Sequence, residues 1–186
     1  MRAICGKAAR SFETLGATVA EAHPDLTGAK KAFFTLRNLE RVLTQAKLVE
    51  EHEAALTPTL VHYVRHGMAL IAKEIGKAES VRGSIYRNVV AFFKEFDVLI
   101  TPTVVAPPFA ADMLHLMEME GHKFEDYFEY LALTYVTTLI ACPVISVPCD
   151  FTKGGLPVGL QIVGLPRGEM SLLSAAAAFE ALHGLD

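Results

Sequence analysis

CPVISVPCDFTKGGLPVGLQIVGLP, residues 142–166, decides how the rest of the chain is read. It holds two apolar, β-branched runs, CPVISVPC and VGLQIVG, on either side of the turn-forming DFTKGG. Runs of this length between Gly, Pro and Asp signals read as strands. A parallel crossover needs about a dozen residues or more, so the short link predicts an antiparallel hairpin. The glycines invite a second reading, a phosphate cradle. A dinucleotide loop needs GxGxxG between strand and helix, and a Walker loop needs GxxxxGK[ST]. Gly155, Gly159 and Gly164 have neither spacing, and Gly159 falls inside the strand run, where glycine marks a close backbone approach.

Working outward, FDVLI (96–100) reads as another strand, buried on both faces and stopped by TPT. Residues 124–139 trace a helix face through Phe124, Phe128, Leu131, Tyr135 and Leu139, and a last helix covers about 168–182. The first half is mainly helical. A helix from Ile4 to Leu15 is closed by Gly16, and ATVAEA (17–22) reads as a short strand. A long helix follows from Lys30 to about Leu56, then one opening at Thr57-Pro58 and another running to about Lys94. Helices on a sheet define an α/β class. Two or three apolar strands make a poor sheet alone, so the chain reads as part of a larger one.

Composition narrows the function. The chain has 186 residues, 52% of them hydrophobic, a formal charge of −4 and no Trp. That excludes disorder and gives no basic footprint for nucleic acid. The sequence offers no apolar run long enough to span a membrane, and the three cysteines lack CxxC spacing, which suits a reduced, cytoplasmic protein. An apolar chain of this kind is expected to bury some surface against something outside itself.

The candidate chemistry is thin. HEAAL (52–56) starts like HExxH but has Leu56 at the second histidine position. His62 and His66 share a helix face without a third ligand nearby, so a metal hydrolase built on them is a minor reading. Ser146 lacks a nucleophile elbow, Cys142 and Cys149 lack a neighbouring base, and Asp97, Asp112 and Asp150 are scattered turn acids. No cofactor or metal is expected.

FFKEFDVLITPTVVAPPF (92–109) and TYVTTLIACPVISVPCDFTKGGLPVGLQIVGLPRGEMSLLSAAAAFE (134–180) closely resemble the carboxy-terminal region of the amidase-signature family. AARSFETLGATVAEAHPD, LTPTLVHYVRHGMAL and IYRNVVAFFKEFD resemble, in order, the elements that family places earlier. The resemblance implies an α/β fold, a mixed β-sheet with helices on both faces, of which this chain is the C-terminal portion. It would form a single incomplete domain over 1–186, with 1–95 mainly helical plus one short strand, and 96–186 strand, helix, β-hairpin, helix. The implied reaction is hydrolysis of a carboxamide C–N bond through a serine acyl-enzyme. In the family that machinery is a nucleophilic serine, a second serine and a lysine base, with backbone N–H groups as the oxyanion hole.

That machinery lies upstream of the region matched here. The serines are Ser11, Ser80, Ser84, Ser146, Ser171 and Ser174, none adjacent, and GSI (83–85) falls in a predicted helix. No catalytic residue is assigned. The chain is expected to be inactive alone, as a portion of a longer amidase or a fragment complementing an upstream N-terminal segment. A non-catalytic interaction or scaffold domain, with a self-associating surface, is the alternative. The loop 102–112 and helix 124–139 would line the acyl-substrate pocket, with Met113, Tyr127 and Tyr130 as wall residues.

Overall fold

A computed structural model describes residues 1–113, 115–126 and 128–183. Two compact units are present, Leu26–Arg87 and a second made of Met1–Asp25 with Asn88 onward.

The second unit is built on the predicted hairpin. Helix α1 spans Arg2–Arg10 and continues as a 3-10 turn, Ser11–Leu15. Gly16 ends it at φ 85°, a left-handed position open to glycine. No strand forms over 17–22, contrary to expectation. A strand is defined by a partner, and among the described residues this stretch pairs with none.

The helical unit contains α2 (Ala29–His52), α3 (Pro58–Met68) and most of α4 (Ala72–Phe92). Thr57 caps α3 as its sequence foretold: its side chain accepts from the Leu60 N–H, with Pro58 in the first turn. Val49, Val61 and Val64 form the buried seam of α2 and α3.

After α4 comes β1, Val98–Pro102, then two two-residue strands, β2 (Glu118–Met119) and β3 (His122–Lys123). The expected helix over 124–139 is shorter. It starts as a 3-10 turn at Glu129–Leu131 and becomes α5 only over Ala132–Leu139. Asp126 Oδ1 accepts from the Phe128 N–H at 2.9 Å, a local bond that competes with helix over the preceding residues. Strands β4 (Val144–Phe151) and β5 (Pro157–Gly164) follow, and helix α6 (Glu169–His183) ends the described chain.

The sheet order is β1-β5-β4, with both pairings antiparallel. One face carries Val147, Cys149, Val158, Leu160 and Ile162. These pack against Cys5, Ala8 and Phe12 from the α1 region and Leu172, Ala176 and Phe179 from α6. The Phe12 and Phe179 rings stack at 5.3 Å. On the other face, α5 lies over the centre, with the Leu133 carbonyl bonded to the Gln161 side chain. Helices therefore cover both faces. Strand β1 is only half-buried at every position, not buried on both faces as its apolar sequence suggests, because it is an edge strand paired on one side.

Candidate functional site

The α5 face of the sheet carries a polar row. The register aligns Thr101, Gln161 and Ser146 across three strands. Gln161, only 3% exposed, donates through Nε2 to Thr101 Oγ1 and to the Leu133 carbonyl, both at 3.0 Å. Thr103 Oγ1 and Ser146 Oγ lie 2.6 Å apart across Gly159. A Cβ at Gly159 would sit 2.8 Å from Thr103 Oγ1 and 3.1 Å from Ser146 Oγ. The glycine inside GLPVGLQ therefore makes room for side chains from both neighbouring strands, and no ligand is needed to explain it.

Met113 lies in the loop that follows Thr103, and Tyr130 in the 3-10 turn Glu129–Leu131. Phe109 and Tyr130 meet edge to face at 6.0 Å, and Tyr130 lies three residues before Leu133. Met113 is 44% exposed. Tyr127 lies outside the described residues.

The remaining candidates separate in space or are committed elsewhere. Asp97 precedes β1 at one end of the sheet, and Asp150 pairs with Val158 at the other. Both are exposed, as is Asp112. Burial pushes the Cys142 thiol up to about 11. Burial and then the neighbouring Cys5 push Cys149 up to about 12, and burial likewise raises Cys5. Thiols held protonated are poor nucleophiles. Cys149 instead donates to the Val158 carbonyl at 3.3 Å. Ser84 lies in α4 and accepts from Arg87 Nη2, so the GSI echo is helical.

His62 and His66 stack one turn apart with ring centroids at 6.3 Å. Among the described residues, the one group of three ligand-type side chains close enough to share an ion is Glu125, Asp126 and Glu129. The two histidines are not in it.

One pair escaped the sequence. Ser11 Oγ and His183 Nε2 are 2.8 Å apart, although 172 positions separate them. Ser11 Oγ also lies 2.7 Å from the Ala8 carbonyl oxygen. The pair ties the end of α6 to α1. His183 also stacks on Phe179 at 4.1 Å. No local pattern announces a contact of that range.

Two clefts of about 530 and 880 Å3 run along the free edge of β1, the larger also lined by Leu133 of α5. Gly6, Ala9 and Ile100 line both. Among the described residues, no helix is long and apolar enough to cross a membrane.

Three antiparallel strands with helices on both faces define an α/β architecture. The chain belongs to the amidase family, whose model, described as Amidase, matches residues 5–173. An acylamidase from Rhodococcus erythropolis is 28% identical over 183 residues, which is 97% of this chain and 38% of that protein. A subunit of the glutamyl-tRNA(Gln) amidotransferase from Synechococcus sp. (strain CC9902) is 41% identical over 106 residues, 56% of this chain and 20% of its own length. Among solved structures, an amidase superposes with a TM-score of 0.86 at 24% identity, covering 97% of this chain and 41% of its own. A bacterial aryl acylamidase of the amidase-signature enzymes gives 0.84 at the same identity. The chain thus spans about two fifths of the length of the acylamidase and of the solved amidase.

Proposed function

We propose that this chain supplies the carboxy-terminal portion of an amidase that hydrolyses a carboxamide C–N bond through a serine acyl-enzyme. The observation that carries the reading is the match of 97% of this chain to 38% of an acylamidase. The nucleophile, the lysine base and the oxyanion donors belong to the upstream portion. The lysine must lose its proton near neutral pH to activate a hydroxyl, and a buried setting promotes that. This chain contributes the sheet edge and one wall of the acyl-substrate pocket, formed by residues 102–112 and 124–139 with Met113, Tyr127 and Tyr130. The exposure of Met113 and the aromatic pair of Tyr130 with Phe109 support that role.

The test is an amide-hydrolysis assay on the purified 186-residue chain with simple aliphatic and aryl amides. No turnover above the uncatalysed rate is expected. Hydrolysis that disappears when one of the chain's own serines is replaced would overturn the reading.

A further inference from the structure

We propose that His62, His66 and Glu53 form a binding site for a divalent late transition ion of the zinc type, where α2 hands over to α3. All three residues lie in the helical unit, so the site stands or falls independently of the amidase reading.

The cap of α3 fixes the first two ligands. Thr57 and Pro58 start the helix at a defined residue, which puts His62 and His66 one turn apart on the same face. This i, i+4 spacing is the one by which the HExxH helix offers two imidazoles to zinc. The rings lie nearly parallel, 25° between planes, with centroids at 6.3 Å. Two imidazoles that share a tetrahedral zinc at 2.0–2.1 Å have centroids about 5 Å apart, so the rings need to close by about 1 Å. Both side chains are exposed, and among the described residues neither is held by a hydrogen bond or an ion pair.

Local spacing showed no third ligand, because HEAAL has Leu56 where a zinc helix has its second histidine. The fold brings one in from the other side. After α2 the chain passes through the 3-10 turn Glu53–Ala55 and then extends at Leu56, which returns Glu53 to the side of α3. Arg65 Nη2 donates to Glu53 Oε2 at 2.6 Å across twelve positions. The guanidinium orients the carboxylate and leaves Oε1 for an ion, the part that outer hydrogen-bond partners play around metal ligands. Glu53, His62, Arg65 and His66 all line one hollow of about 730 Å3.

The donor set selects the ion. Two imidazole nitrogens and one carboxylate oxygen, with water in the remaining positions, suit Zn2+, Ni2+ or Cu2+. Ca2+ and Mg2+ need a shell of oxygens. The three donors do not yet converge on one point, and exposed side chains reach it by rotamer changes on the picosecond to nanosecond scale. The ordering cost makes this an exchangeable site rather than a closed structural one.

The experiment titrates Zn2+ into the chelator-treated 186-residue chain by calorimetry at about pH 7.5, where unperturbed imidazole is neutral. One ion per chain is expected, undisturbed by excess Mg2+. His62→Gln and His66→Gln should each weaken binding by at least about 10-fold, since either leaves the partner as a single imidazole. Glu53→Gln should weaken it less and keep the stoichiometry, while His23→Gln should change nothing. The thermal midpoint should rise by about 5 °C at a free zinc concentration 100 times the dissociation constant, and His62→Gln should abolish that rise. These exposed variants should keep the midpoint of the metal-free chain. Zinc binding that survives both histidine substitutions but is lost in Glu129→Gln places the ion on the Glu125, Asp126 and Glu129 group and overturns the proposal. Failure to bind zinc, or binding that none of these substitutions alters, overturns it as well.

Discussion

Ala141 holds φ at 53°, a left-handed conformation that crowds any Cβ. It follows α5, and its N–H reaches back to the Thr138 carbonyl at 3.2 Å while Cys142 reaches Thr137. This is the position where helices usually place glycine, as the chain does at Gly16. Ala141→Gly relieves about 1–2 kcal/mol of strain and costs about 0.4–1 kcal/mol in unfolded-state entropy. The net expectation is a gain of roughly 0.5–1 kcal/mol, read as a small rise in the thermal midpoint. A fall would show that the Ala141 methyl makes contacts worth more than the strain. The comparison shows what sequence reveals at this scale. Gly16 was readable as a stop because glycine after an apolar helical run has few other uses. Ala141 was not, since alanine carries no mark of an unusual φ. Gly159 was readable as a close approach, yet its partners Thr103 and Ser146 emerge only once the register is known.

Elements defined by their own periodicity were legible, and those defined by a partner were not. The hairpin, the capped start of α3 and the last helix all follow from spacing and turn chemistry. Segment 17–22 has the composition of a strand but no ladder, and β2 and β3 are too short to show a period. The approach of α2 to α3 is a further case. Gly67 lies in α3, and a Cβ there would run into the Asn38 carbonyl oxygen and come within 2.6 Å of Val42 Cγ2. In the sequence Gly67 is only a weak spot in a helix. In the structure it lets two helix backbones close together. Gly67→Ala should therefore lower stability by about 1–3 kcal/mol, although alanine is the better helix former by about 1 kcal/mol. Denaturant midpoints compared with those for Gly76→Ala separate the two effects, because a Cβ at Gly76 meets nothing within 4 Å. Equal and stabilising changes at both sites would remove the packing account.

At the scale of the whole molecule, the sequence said that apolar surface exceeds what the chain can bury, but not where the surplus lies. Its place depends on which face of each element the sheet covers. Helix α6 buries Leu172, Ala176 and Phe179 and leaves Met170 and Leu173 on its outer side, 78% and 52% exposed. Ala177 and Ala181 extend that stripe with no charge. No nucleophile and base could be read from local spacing, and the chain spans only about two fifths of the length of the acylamidase and of the solved amidase. Exposed apolar stripes drive association when nothing covers them. The isolated chain should therefore sediment with an apparent mass that rises with concentration. The double substitution Met170→Glu and Leu173→Glu should flatten that dependence. It should also leave the thermal midpoint within the range of about 0.5 kcal/mol expected of surface changes. Both positions point away from the Phe12–Phe179 core, so a large fall in midpoint would place them in packing instead. Unchanged association with an unchanged midpoint would move the sticky surface off α6 and leave the open edge of β1 as its source.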